Sequence, residues 1–205
     1  MRTITTNIYT FNELNKEAKM NAIRGERYNI GNDACDRVNE EYQDCLEKIE
    51  KAFDLKFINY NVDDENYQFE YFMIFQKWES NEPKMLLRYL DDIWYHLYKG
   101  KYYSVGHTDS TGTYKFKSLR SKIFFDVDCT LTGTYTDVKI MNAMKKSYER
   151  VKANWTIEEF VRDMLNQFFT QWKEDLGMCF DDDFIEEELI EREYEFTENG
   201  DRYHE

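Results

Sequence analysis

The stretch "FFDVDCTLTGTYTDVKIM", residues 124–141, decides between two classes of fold. In its first half Asp126 and Asp128 alternate with apolar residues, which is typical of a strand with one face in water and one in the core. The second half, after Gly133, alternates again and predicts the return strand of a hairpin. We therefore expect antiparallel pairing here, because a parallel α/β sheet requires a helical crossover after such a strand.

Other segments carry the same strand signature. "LKFINYNV" (55–62) and "NYQFEYFMIF" (66–75) are rich in β-branched and aromatic residues and flank a polar tip, so they predict a hairpin. "KYYSVGH" (101–107) and "TYKFKS" (113–118) are separated by a turn sequence and predict two further strands. With "SKIFFDVDCTL" (121–131), these short strands predict an antiparallel meander.

Helical periodicity marks the N-terminal quarter of the chain. Asn15 can accept hydrogen bonds from the first free amides of a short helix, in which Ala18 and Ala22 share one face. From Asp33 the apolar residues step by three or four and predict a second, strongly amphipathic helix. These apolar positions are Ala34, Val38, Tyr42, Cys45, Ile49 and Phe53.

Further helices are predicted in the middle of the chain and towards its C-terminus. The run over residues 80–100 has Pro83 near its start and an apolar stripe behind it. Thr156 and Glu159 have the spacing of a capping box, which begins a helix that ends near Gly177. Its apolar positions are Val161, Met164, Leu165, Phe168 and Trp172. An acidic helix and a short extended piece complete the chain.

These elements predict an α+β fold in which a mostly antiparallel sheet is flanked by N-terminal and C-terminal amphipathic helices. The chain has one Pro and eight Gly in 205 residues, which argues against a long flexible connection. We predict a single α+β domain over residues 1–205, with an acidic C-terminal helix and tail over residues 181–205.

The composition limits the possible partners. Lys and Arg number 27 and Asp and Glu 41, so the formal net charge is −14 and free nucleic acid or an anionic membrane is a poor partner. No apolar run approaches the roughly 20 residues that span a bilayer, and the N-terminus lacks the features of a signal peptide. We therefore expect a cytoplasmic protein whose four cysteines are reduced.

The opening aspartate pair has a second interpretation. In "FFDVDCTLTG" the chain resembles the nucleophile loop of the haloacid dehalogenase-type phosphatases. The resemblance implies that Asp126 takes up the phosphoryl group and that Asp128 is the general acid, beside a magnesium ion. It also suggests Asp181, Asp182 and Asp183 as the later metal-binding carboxylates.

The surrounding sequence departs from that phosphatase pattern in three respects. No helical crossover is predicted after Gly133, and Cys129 replaces the glycine that normally follows the second aspartate. An amphipathic helix, rather than a buried strand, precedes Asp181. We therefore expect no catalytic residue, no metal site and no cofactor, and we keep a magnesium-dependent phosphatase as the third hypothesis.

Acidic residues are most concentrated at the C-terminal end, where residues 181–205 hold 12 Asp and Glu against two Arg. Like charges three or four residues apart repel each other on a helix. Carboxylates on a folded surface can imitate nucleic-acid phosphates, although an acidic surface can also serve solubility alone. The predicted partner-binding residues are Asp181, Asp182, Asp183, Glu186, Glu187, Glu188, Glu191 and Glu195, with Asp63, Asp64 and Glu65 at the hairpin tip. A second acidic face is predicted at Glu40, Glu41, Asp44, Glu47 and Glu50.

Both ends of the chain carry a family resemblance. The matching residues are Tyr9, Phe11, Glu13, Leu14, Glu17, Ala18 and Lys19 at one end, and Glu193, Tyr194, Phe196 and Gly200 at the other. In these residues the chain resembles a family of small phage and prophage proteins of Gram-positive bacteria, over about a third of its length. The resemblance implies an uncharacterised or antitoxin-like accessory protein. Acidic accessory proteins of phages are often inhibitors of host defence, including anti-CRISPR proteins.

The leading hypothesis is a phage-borne inhibitor of a host defence nuclease. Most specifically, it would be an anti-CRISPR protein that blocks the basic nucleic-acid-binding surface of a Cas9-type effector by DNA mimicry. Its partner would be that nuclease or another basic nucleic-acid-binding protein in the cytoplasm of the host bacterium, without direct contact to nucleic acid or membrane. The alternative is an antitoxin-like or phage assembly module that binds a protein partner without mimicking DNA.

Overall fold

The computed structural model describes residues 7–74, 102–108, 111–120, 137–150 and 156–204. The α-helices are α1 (Lys16–Phe53), α2 (Asp137–Arg150), α3 (Ile157–Met178) and α4 (Asp182–Glu191). The strands are β1 (Tyr9–Thr10), β2 (Leu55–Val62), β3 (Tyr67–Met73), β4 (Tyr102–Thr108), β5 (Tyr114–Arg120) and β6 (Glu195–Phe196). A single 3-10 turn, Phe11–Glu13, leads from β1 to α1.

Helices and small antiparallel sheets are combined, which is consistent with the predicted α+β class. The strands in the described part of the chain form three two-stranded sheets, which pair β1 with β6, β2 with β3 and β4 with β5. Within the described residues no strand exceeds eight residues, whereas the helices contain 38, 14, 22 and 10 residues. The prediction of a mostly antiparallel sheet is therefore wrong for this part of the chain.

The N-terminal helix begins as predicted but does not end where expected. The side-chain oxygen of Asn15 accepts hydrogen bonds from the amides of Glu17 and Ala18, both at 3.0 Å. Instead of a short helix followed by a second one, α1 is continuous over 38 residues. The sequence hides this continuity because the buried stripe includes Glu26, which is only 7% exposed and pairs with Arg202 at 3.2 Å.

The two predicted hairpins within the described ranges are confirmed. Strands β2 and β3 pair from Leu55 with Met73 to Val62 with Tyr67, and β4 and β5 pair in antiparallel register as well. The ring of Phe169 on α3 stacks on Phe69 of β3 with ring centroids 4.6 Å apart. This contact packs the first hairpin against α3.

The described part of the predicted return strand is helical. Residues 137–141 begin α2, where apolar side chains at Ile140, Met141, Ala143 and Met144 are buried. The alternation over residues 134–141 is short, and the three-to-four spacing becomes clear only when the following turns are included. Residues 121–136 lie outside the described part, as does the helix predicted over residues 80–100, so those expectations stay predictions.

The capping box of α3 is confirmed. The amide of Thr156 donates to the carboxylate of Glu159 at 2.6 Å, and the amide of Glu159 donates to the hydroxyl of Thr156 at 3.2 Å. The helix ends at Met178, next to the glycine expected to stop it. Its buried face matches the predicted apolar positions, which are Val161, Met164, Leu165, Phe168 and Trp172.

By its internal contacts the chain divides into two compact units. The first unit comprises residues 1–40, 63–66 and 172–205, and the second comprises residues 41–62 and 67–171. The prediction of a single domain stays a prediction. Among the described helices, none has the length and apolar character needed to cross a bilayer.

Candidate functional site

The first unit is built around the two ends of the chain. Strand β1 pairs antiparallel with β6, so that Tyr9 lies opposite Phe196. The rings of Phe11 and Phe196 meet edge to face with centroids 6.2 Å apart. The two stretches that carry the phage-protein resemblance therefore fold against each other. Their shared core contains Phe11, Leu14, Ala18, Ala22, Ile23, Ile30, Ile185, Leu189 and Phe196.

The acidic C-terminal tail is attached to α1 and is not a loose extension. The side-chain amide of Asn21 donates to the carbonyl of Asn199 at 3.1 Å, and Arg202 pairs with the nearly buried Glu26 at 3.2 Å. The guanidinium of Arg202 also lies over the ring of Tyr194, 3.7 Å from its centroid. The carboxylates on this tail are consequently held on a folded surface.

Helix α4 is amphipathic, with Ile185 and Leu189 fully buried. Its opposite face carries Asp183, Glu187 and Glu191, which are exposed and follow one another at intervals of four residues. This spacing puts consecutive carboxylates about 6 Å apart along the helix axis. A row of negative charge therefore faces solvent on one side of α4.

Arginines bind the carboxylates on the inner side of α4. Arg27 from α1 pairs with Asp182. Arg192 pairs with Glu188 at 2.6 Å, and Arg37 approaches the same carboxylate at 3.4 Å. Two of the predicted partner-binding residues, Asp182 and Glu188, thus hold α4 on α1.

Arg192 is the most heavily bonded of these arginines. Its guanidinium donates to the hydroxyl of Tyr194 at 3.4 Å and pairs with Asp33 at 3.2 Å, besides Glu188. The bond to Tyr194, together with those to Glu188 and Asp33, raises the pKa of Arg192 above its usual value. Its charge is therefore constant, and α4 is fixed at its C-terminal end as well.

The hairpin-tip carboxylates belong to the same compact unit as α4. The carboxylate of Asp63 accepts from the amides of Glu65 and Asn66 at 2.9 and 2.6 Å, so it shapes the turn. Asp64 and Glu65 are exposed. Burial, followed by the charges of Asp64 and Asp36, raises the pKa of the Cys35 thiol on α1.

The negative charge of the protein is concentrated in the first unit. This unit holds nine Lys and Arg against 23 Asp and Glu, so its formal charge of −14 equals that of the whole chain. The second unit holds 18 residues of each sign and is formally neutral. The predicted acidic residues of α4, the tail and the hairpin tip all belong to the charged unit.

The second acidic face predicted on α1 is partly neutralised. Lys56 donates to the carboxylate of Glu50 at 2.6 Å, and Lys139 pairs with Glu41 at 3.0 Å. Asp44 and Glu47 remain exposed, and both belong to the formally neutral unit. This face is therefore the weaker candidate for binding a basic partner.

The residues of the phosphatase hypothesis are only partly described. Asp126 and Asp128 lie outside the described ranges. Asp181 follows α3 and precedes the first residue of α4, so a helix comes before it, as the sequence predicts. Within the described ranges, no group of three His, Cys, Asp or Glu side chains is arranged to hold a metal ion.

Sequence reasoning missed the arginines that organise this surface. The four-residue spacing of Glu188 and Arg192 was visible in the sequence and could have indicated their ion pair. The pairs of Arg27 with Asp182 and of Arg202 with Glu26 join residues more than 150 positions apart. No local sequence pattern indicates an ion pair between residues so far apart in the chain.

Comparison of the chain with models of known protein families, with curated proteins and with solved structures gives no match.

Proposed function

We propose that this protein is a non-catalytic, phage-borne inhibitor that binds the basic nucleic-acid-binding surface of a host defence nuclease. An anti-CRISPR protein directed at a Cas9-type effector is the specific form of the proposal. The acidic surface of the first unit, defined by Asp181, Asp183, Glu186, Glu187, Glu191, Glu195, Asp64 and Glu65, occupies the lysine- and arginine-rich site in place of nucleic acid.

The uneven distribution of charge carries the proposal. An acidic composition that served solubility alone would need no segregation, yet the formal charge is −14 in one unit and zero in the other. Concentrated charge of one sign speeds association with a surface of opposite sign and selects against other partners.

The way in which α4 is held in place also supports a role of its carboxylates in binding. The row of Asp183, Glu187 and Glu191 costs stability through like-charge repulsion, while arginines on the other side hold α4 in place. A carboxylate row on a rigid support loses little conformational freedom when it binds. Ile190, 40% exposed beside this row, can serve as an apolar contact within the charged interface.

Charge reversal tests the surface. The variant with Asp183, Glu187 and Glu191 changed to Lys should lose its partner in a pull-down from host lysate, whereas the wild-type protein should recover a basic, nucleic-acid-binding nuclease. Capture should also weaken as salt increases, because exposed charges are screened. Mass spectrometry of the captured proteins measures both effects.

The matched control reverses Asp44, Glu47 and Glu149, which are exposed carboxylates of the second unit. Each triple variant raises the formal charge by six, from −14 to −8, so a difference between them reports position and not total charge. Equal capture by wild type and both variants would contradict the proposed surface. Recovery of a toxin or a virion component instead of a nuclease would favour the antitoxin-like or assembly alternative.

A further inference from the structure

Two cysteines that are distant in sequence meet in the first unit. Cys35 lies on α1, and Cys179 directly follows α3. The thiol of Cys35 donates to the carbonyl of Leu176 at 3.8 Å, and the backbone amide of Cys179 donates to the same oxygen at 3.2 Å. The two cysteines therefore converge on one carbonyl group.

Neighbouring contacts hold the two segments together at this point. The ring of Phe180 and the carbonyl of Cys179 lie so close to Gly31, one turn before Cys35, that a Cβ at that position would overlap the ring. Each of the two thiols also influences the pKa of the other, which is consistent with their proximity. The shared carbonyl group and the packing of Phe180 on Gly31 bring the two cysteines close together, and a disulfide requires their sulfurs to approach to about 2.05 Å.

The two thiols differ in accessibility. Cys35 is half-buried, whereas Cys179 is 3% exposed and its thiol donates to the carbonyl of Asp175 at 3.3 Å. Burial raises the pKa of Cys35, and burial together with the neighbouring Cys35 raises the pKa of Cys179 to about 12. Both groups are therefore protonated at neutral pH, and Cys35 is the one that an oxidant in solution can reach.

We propose that Cys35 and Cys179 form a reversible disulfide when the protein meets a small-molecule disulfide such as oxidised glutathione. The thiolate of Cys35 attacks one sulfur of the reagent and releases one glutathione thiolate, which leaves a mixed disulfide on Cys35. Cys179 then loses its proton to solvent, attacks the Cys35 sulfur and displaces the second glutathione thiolate. The two protein thiols are oxidised, and one glutathione disulfide is reduced to two thiols.

The crosslink joins elements that carry the acidic surface. Cys179 stands two residues before Asp181, where that surface begins, so the bond ties the start of α4 to α1. It also closes a loop of more than 100 residues, which restricts the unfolded chain strongly. Reduction by a dithiol reagent reverses the change.

The test begins with the reduced wild-type protein and oxidised glutathione at pH 8. Peptide mapping without reductant should find a peptide that joins Cys35 to Cys179, and the thermal midpoint should rise by about 5 °C or more. The initial rate should increase about tenfold between pH 7 and pH 8, because the thiolate fraction rises tenfold per pH unit below the pKa. A reaction that goes to completion with only mixed disulfides, or with a bond to another cysteine, would overturn the proposal.

Cys129→Ser is the matched control, because it removes one thiol and leaves both Cys35 and Cys179 in the chain. It should keep both the linked peptide and the shift of the thermal midpoint, whereas Cys35→Ser should lose both. The wild-type map decides the question even if a substitution impairs folding. A midpoint shift that persists in Cys35→Ser would assign the effect to other thiols and contradict the proposal.

Discussion

Gly200 shows how a single residue fixes the tail of the protein. Its φ of +88° lies in the left-handed region, and an added Cβ would overlap the carbonyl of Ala18 on α1. Glycine is therefore required at this position for two reasons: the backbone has a positive φ, and it lies too close to the carbonyl of Ala18 for a side chain to fit.

We predict that Gly200→Ala destabilises the protein by about 1–3 kcal/mol, because the tail must move away from α1. Urea unfolding monitored by circular dichroism measures the loss. Gly25→Ala is the control, since it lies within α1 with nothing within 4 Å of the added Cβ. It should stabilise the protein by about 0.5–1 kcal/mol through helix propensity, and equal destabilisation by both substitutions would refute the packing argument.

The carboxyl group of Glu50 makes a pH-dependent contribution to the stability of the folded protein. Burial opposes ionisation of its carboxyl group, but hydrogen bonds from Lys56 at 2.6 Å and from the amide of Phe57 at 2.9 Å outweigh burial and lower its pKa. A lowered pKa in the folded state stabilises the protein at pH values above the unfolded pKa. This contribution is lost as the pH falls through the folded value.

Accordingly, we predict that Glu50→Gln reduces stability at pH 7 by about 1 kcal/mol, because the amide keeps an acceptor but loses the charge. The difference from wild type should shrink below pH 4.5, the ordinary value for the group, and vanish at lower pH as the wild-type carboxyl group protonates. Urea titrations at several pH values would detect this. A difference that is constant with pH would mean that the charge of Glu50 is unimportant.

At the scale of elements, the starts of α1 and α3 could be predicted, whereas the full length of α1 and the start of α2 could not. Local capping signals located the starts of α1 and α3, because their hydrogen bonds join residues two or three positions apart. Glu26 lies on the buried stripe of α1 and is paired with Arg202, which lies far along the chain, so the sequence alone gives no sign that the stripe continues there. The start of α2 was mistaken for a strand because a short alternating run fits both periods.

A substitution on α4 can show whether its exposed carboxylates serve binding at the expense of stability. We predict that Glu187→Lys stabilises the protein by about 0.5–1 kcal/mol, because two repulsive pairs, with Asp183 and Glu191, become attractive. The same change should weaken partner capture in the pull-down. Thermal denaturation and the capture assay together distinguish two cases. If α4 is a binding surface, the variant is more stable but captures less partner; if α4 is only solvated, the variant is more stable and captures as much partner as the wild type. Glu187→Gln should show about half of the stability gain.

At the scale of the whole molecule, charge is separated between the two compact units. The acidic unit is folded around the pairing of β1 with β6, and Arg27, Arg37 and Arg192 pair with Asp182 and Glu188 of α4. The remaining exposed carboxylates repel one another across this unit. The isolated protein is therefore less stable than its core would allow.

We predict that the thermal midpoint of the isolated protein rises when monovalent salt increases from 0.05 to 0.5 M, because the Debye length falls from above 10 Å to a few ångströms. Differential scanning fluorimetry measures the midpoint. Complex formation should respond in the opposite direction and weaken over the same range. A midpoint that falls with salt would show that ion pairs such as that of Arg192 with Glu188 outweigh the repulsion.

The local features of this protein can be predicted from its sequence: the cap at Asn15, the capping box at Thr156, the two hairpins and the apolar stripe of α3. Each depends on residues that are neighbours along the chain or on a regular period. The folded structure was needed to show that α1 is one helix, that β1 pairs with β6, and which carboxylates face arginines. Those features depend on contacts between residues that are far apart in sequence, for which a single sequence carries no periodic signal.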